Sequence, residues 1–173
     1  MNILLRNYGI AFVLTVASVF VNHLLGFNTE RHETGEYARN AVTAILWCSI
    51  FLTVVQIRAA SGNEHSFMHA FRNGSLYSVL YSASFSLFMV FYQKVVNPRF
   101  YPTYREFFEA RLKAAQIAPD LMAVKMRQFD MTFNGDFPTY VLLFLYMAMG
   151  GVIMAAIAGA IFRNPVKPRP SRG

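Results

Sequence analysis

Four stretches of this chain contain no Lys, Arg, Asp or Glu: Tyr8–Phe27, Ala41–Ile57, Ser75–Gln93 and Thr139–Phe162. A bilayer core about 30 Å thick takes roughly 20 helical residues, with about 17 to 25 accepted, and each stretch fits. Backbone amides in hydrocarbon must be satisfied within the protein, so a spanning segment is either a helix or part of a closed barrel. Period-two alternation is absent and a barrel needs many more strands, which leaves helices. Composition agrees: the 173 residues are 55% hydrophobic and 14% charged, against roughly a quarter charged in soluble domains. A soluble domain of this size has too much surface for its volume to hide so many apolar side chains. The sequence therefore predicts an all-α membrane protein with four transmembrane helices, near 8–27, 41–57, 75–96 and 139–162, in a single domain over 1–163. The first apolar run exceeds the 7 to 15 residues usual in a signal peptide, and no A-x-A site follows it, so it is expected to be a retained span.

The connections carry their own signals. Residues 28–40, NTERHETGEYARN, form an acidic loop with a turn or helix start at Thr34-Gly35. Ser61-Gly62-Asn63 breaks the chain, and Ser66 to Asn73 is expected as a short helix leading to the third span at Gly74. Asn97-Pro98 and Tyr101-Pro102 end that span, because proline disfavours helix in the residue before it. Thr103 is placed to cap a new helix with Glu106 as its capping-box partner. Phe107, Phe108, Leu112 and Ala115 then recur at helical spacing, and Pro119 with Asp120 opens another helix carrying Leu121, Met122, Lys125, Met126 and Phe129. The expectation is a short amphipathic helical insert over about 103–133, lying on or near the outer membrane face. Its apolar residues Phe107, Phe108, Leu112, Leu121, Met122 and Phe129 would offer a docking face. Asn134 to Pro138 turns the chain back, and residues 164–173, NPVKPRPSRG, read as a disordered basic tail near anionic headgroups.

Basic residues set the orientation. The first segment, the second loop and the tail hold Arg6, Arg58, Arg72, Arg163, Lys167, Arg169 and Arg172 against one acid, Glu64. The other side holds nine basic residues and eight acids over more chain. Density of Lys and Arg favours both termini on the cytoplasmic side. The net charge of +7 is scattered over loops, so membrane topology explains it and no nucleic-acid partner is expected.

Chemistry is sparse. Cys48, beside Trp47, is the one cysteine, so no intramolecular disulfide or thiolate metal cluster can form, and it should behave as a small hydrophobe. An ionisable group at membrane depth is a functional hypothesis by default, yet none of the four stretches carries Lys, Arg, Asp or Glu. His23, beside Asn22 near the outer interface, is expected to make a structural hydrogen bond. His65 and His69 share a helix face and are weak metal candidates, but Glu64 precedes the first His where the zinc-protease pattern needs Glu after it. Glu30, His32, Glu33 and Glu36 would suit acid–base work, although a solvated acidic loop is the plainer expectation. No nucleophile elbow, P-loop or dinucleotide motif occurs, so no catalytic residue, metal or cofactor is assigned. Two stripes of small residues, Ser78, Ser82, Ser86 and Gly151, Ala155, Gly159, suit close helix packing, within the chain or against a partner, and Gly150-Gly151 would permit a kink.

Phe67-x-x-Ala70-Phe71-x-x-Gly74 before the third span and Asn97-Pro98 after it, followed by the insert and a fourth span, resemble a bacterial family of four-span proteins defined only as a domain of unknown function. The resemblance implies an inner-membrane location and the four-span fold, and brings no substrate, cofactor or catalytic residue. The function expected from the sequence is a non-catalytic accessory or scaffolding subunit that binds membrane lipid and other membrane subunits, or itself. The alternative is a small-molecule or lipid carrier with a cavity between the spans, lined by Asn22, His23 and the three serines. A membrane enzyme built on residues 30–36 comes third.

Overall fold

The structure, a computed structural model, describes residues 3–61 and 66–162. Its helices are α1 (Ile3–Leu24), α2 (His32–Ser61), α3 (Phe67–Phe91), α4 (Phe100–Ala114), α5 (Pro119–Phe133) and α6 (Phe137–Phe162), and α3 runs on through a π turn at Tyr92–Val96. Among the described residues there is no strand. Four helices, α1, α2, α3 with its π turn, and α6, are long and apolar enough to cross a membrane. The basic tail, the break at Gly62-Asn63, and Glu64 and His65 lie outside the described residues.

The helices outrun the apolar stretches that announce them. α2 begins at His32 instead of near Ala41, so the acidic segment is mostly helix, and α3 begins at Phe67 without a separate short helix before it. Hydrophobicity marks where a helix can meet lipid, whereas capping chemistry marks where it starts and stops. α1 ends in a left-handed Gly26 (φ 77°), with Gly26 N–H donating to His23 O (3.0 Å) and Phe27 N–H to Asn22 O (2.8 Å), the paired bonds of a Schellman cap. Ser66 caps α3, its hydroxyl accepting from His69 N–H at 3.2 Å. α4 starts at Phe100, before the expected Thr103, since Pro102 falls in the first turn, where no N–H is needed. Thr103 instead turns its hydroxyl back onto the Arg99 and Phe100 carbonyls (2.9 and 3.2 Å).

The two small-residue stripes meet each other. A Cβ at Gly74 would stand 2.6 Å from Ala155 Cβ, and one at Gly151 would run into Ser78 Oγ. Ser78 Oγ donates to Ala148 O (3.0 Å), and Gly159 sits under Phe67. α3 and α6 thus pack antiparallel at near-backbone distance, the geometry small residues permit, and α6 passes through Gly150-Gly151 as unbroken helix. Behind this pair, the fully buried Tyr77 and Tyr81 send their hydroxyls toward α1: Tyr77 donates to Asn7 O (3.2 Å), and Tyr81 pairs with Thr15.

Candidate functional site

At the end of the bundle remote from Ile3 and Phe162, one hydroxyl ties three segments together. Tyr92 OH lies 3.1 Å from Asn28 Nδ2, 3.3 Å from Asn97 Nδ2 and 3.2 Å from His23 Nδ1. A phenol oxygen both donates and accepts, so Tyr92 accepts from both amides and shares its third hydrogen bond with His23 Nδ1. The expected structural role of His23 is met. Asn97 also donates to Asn28 O (2.9 Å). Replacing Tyr92 with Phe keeps the ring but strands buried amides, at about 1–3 kcal/mol. The expected result is a lower unfolding temperature in detergent than for Tyr8→Phe, whose hydroxyl meets only the half-buried Ser84; equal values would remove Tyr92 from this role.

Over this end folds the α4–α5 insert. Phe100, Tyr104 and Phe129 form a buried cluster with Tyr101, Phe107, Phe108 and Phe133 around it. Tyr101 OH and Arg105 Nε both donate to Asp130 Oδ1 (2.8 and 3.0 Å), locking α4 to α5. The insert is fixed to α2 by His32 Nε2 on Thr103 Oγ1 (2.9 Å), by Tyr104 OH on Glu36 (3.4 Å) and by Arg111 on Glu36 (2.8 Å). Burial raises the pKa of the Tyr104 hydroxyl, against the opposing pull of Arg39, so it stays a neutral donor.

Arg39 stands beneath that cap. Its guanidinium lies 4.6 Å from the centroid of the Tyr104 ring and 5.9 Å from that of Phe100, within cation–π range. Gly35 makes room for it: a Cβ there would stand 2.9 Å from Arg39 Nη1 and collide with the Phe27 carbonyl. Both Nη nitrogens are buried and neither makes a well-formed hydrogen bond to a protein atom, the Tyr104 side chain being the one group in weak hydrogen-bonding reach of Arg39. A buried ion short of hydrogen-bonding partners is costly, which marks this position.

Arg39 lines a cavity of about 670 Å³ between α2 and α6, floored by α3 and roofed by the insert. Asn22, Glu36, Asn40, Gln93 and Tyr140 give its upper wall polar groups, while Val42, Phe85, Met89, Leu143 and Met147 make the remainder apolar. A second hollow of about 220 Å³ shares Thr43, Tyr146 and Met147 with it and continues along α2 and α6 to Trp47, Gly150 and Ile153. Asn40, Leu142 and Tyr146 are exposed at its rim, so the opening is lateral, between α2 and α6.

The residues singled out from sequence fall in several places. Of the expected carrier lining, Asn22 borders the cavity, but Ser78, Ser82 and Ser86 are buried on the α3 stripe outside its walls. The acidic cluster is divided: His32 and Glu36 turn to the insert, while Glu30 and Glu33 are exposed. The six expected docking residues do not share one free surface. Leu112 and Phe129 are buried, Phe107, Phe108 and Met122 half-buried, and Leu121 exposed, because the apolar sides of α4 and α5 face each other. His69 lies in the first turn of α3, and the described residues contain no group of three metal-ligating side chains. Cys48 is exposed on α2. Arg39, Gly35 and Tyr92 carry this site without any motif; for the first two the signal is helical spacing, with Arg39 half-buried among the buried His32, Gly35, Val42 and Leu46 of α2.

The family described as "Protein of unknown function (DUF4199)" matches residues 7–164, and the chain belongs to that family. No curated protein and no solved structure matches it.

Proposed function

We propose that this member of the DUF4199 family is a non-catalytic membrane protein that binds an amphiphile in the lateral cavity between α2 and α6. The observation that carries the reading is a hollow polar at the bundle end, apolar toward the middle and open sideways, with a shape and chemistry suited to a head group and chain. The location belongs to the same proposal: a bacterial inner membrane, with both termini cytoplasmic, as the seven basic residues against one acid on the terminal side favour.

Gly150 offers the test. A Cβ there meets only Trp47 Nε1, at 3.9 Å, so Gly150→Phe starts in open space and carries its ring into the lower hollow beside Trp47. Native mass spectrometry of the wild type from mild detergent is expected to show retained lipid, reduced at least tenfold in Gly150→Phe. Equal retention by both would overturn the reading. The accessory-subunit reading keeps one specific support, the exposed Leu121 and Val124 on α5 (49% and 53%). It expects instead a stoichiometric protein partner in the same spectrum, lost in Leu121→Asp.

A further inference from the structure

We infer that the cavity selects an anionic lipid, whose phosphate or carboxylate oxygens pair with the guanidinium of Arg39. The inference rests on the amphiphile reading and names the head group. Three observations converge on it. Both Nη nitrogens of Arg39 are buried beneath the insert with no well-formed hydrogen bond to a protein acceptor. Neighbouring donors at this end have acceptors: Tyr104 and the exposed Arg111 meet Glu36, and Tyr140 OH meets Gln93 Oε1 at 3.0 Å. Glu36, a carboxylate lining the cavity, is paired with Arg111 outside it at 2.8 Å, which leaves the charge of Arg39 without a carboxylate partner.

The chemistry of the group narrows the ligand. A guanidinium offers two parallel N–H donors to an oxyanion; the phosphate of phosphatidylcholine can meet them too, but it brings a trimethylammonium cation beside Arg39, whereas phosphatidylglycerol and a fatty acid bring none. The rings of Phe100 and Tyr104 lie against the group within cation–π range. Gly35 leaves the space in which it stands. Phosphate in solution would meet the same donors, but only a lipid also fills the apolar walls at Val42, Phe85, Met89 and Met147.

Full-length protein exchanged into micelles doped with phosphatidylglycerol, phosphatidylcholine or oleate tests this by native mass spectrometry. Wild type is expected to retain phosphatidylglycerol or oleate at least tenfold more than phosphatidylcholine of the same chains. Arg39→Gln should bring that ratio to within twofold, chiefly through lost phosphatidylglycerol and oleate; Arg39→Lys should keep part of it. Arg127→Gln, at an exposed position on α5, should leave it unchanged. Equal retention of all three lipids by wild type overturns the inference without need of a variant, as does an undiminished ratio in Arg39→Gln. Displacement of the lipid by millimolar inorganic phosphate would also overturn it, assigning the site to a free anion. If Gly150→Phe loses lipid while wild type shows no charge preference, only the head-group inference falls. If no lipid is retained at all, the amphiphile reading falls with it.

Discussion

Gly151→Val is expected to separate α3 from α6 and to destabilise the membrane part of the bundle strongly. A Cβ at Gly151 alone would run into Ser78 Oγ and lie 2.8 Å from Ser78 Cβ and 3.2 Å from Ile50 Cδ1. Two helices held at backbone distance cannot yield at one point, because Gly74 against Ala155 keeps the next layer equally close. Overpacking of this kind costs about 1–3 kcal/mol or more, which for a chain of this length lowers the unfolding temperature by about 2–4 °C per kcal/mol. Ser78→Gly in the same chain removes the obstructing atoms and should recover part of the loss. Gly150→Val, one residue away with open space before it, should be nearly silent. Thermal unfolding in detergent of the three variants decides it, and equal values for Gly150→Val and Gly151→Val would show that the stripes are not what joins these helices.

Phe129→Ala is the second large effect, and it is local. The Phe129 ring stands 4.7 Å from Phe108, 4.9 Å from Phe133 and 5.1 Å from Tyr104 by centroids, and it is 5% exposed. Truncating a buried Phe costs about 3–5 kcal/mol. Here the loss falls on the small aromatic core of the insert, which is separate from the main core of the spans. Amide hydrogen exchange in 100–133 should therefore accelerate by orders of magnitude while α3 and α6 remain protected. Acceleration spread evenly over the whole chain would mean that the insert and the bundle unfold as one.

The four spans were legible because lipid imposes a single rule, length without charge, that any uncharged stretch of about 20 residues satisfies. The insert was legible for a related reason, since Pro119 with Asp120 and the repeat of Phe107, Phe108 and Leu112 are local signals. Two things were not. The first was which side of each insert helix is free: Leu112 and Phe129 share an apolar pattern with Leu121, and only the pairing of α4 with α5 decides which are covered. The second was Arg39. Outside an apolar stretch it counts as one more loop charge, and its meaning depends on partners distant in sequence, Phe100 and Tyr104, and on Gly35 leaving space. The small-residue stripes announced close packing, but whether they met each other or another chain was a tertiary matter.

The π turn at Tyr92–Val96 has a consequence for counting. Its closing bond runs from Asn97 N–H to Tyr92 O (2.7 Å), five residues back, so this turn holds one residue more than an α-helix would. Each helical residue adds about 100° of rotation. Were the same residues to close as ordinary helix, Asn97, and with it the direction in which α4 departs, would swing by roughly that angle. The insert would then leave the bundle in another azimuth, with every ring of its own core intact and nothing above Arg39. Where the roof sits is thus a matter of chain phase as well as of its side-chain ties to α2: one widened turn absorbs the residue that would otherwise turn it away.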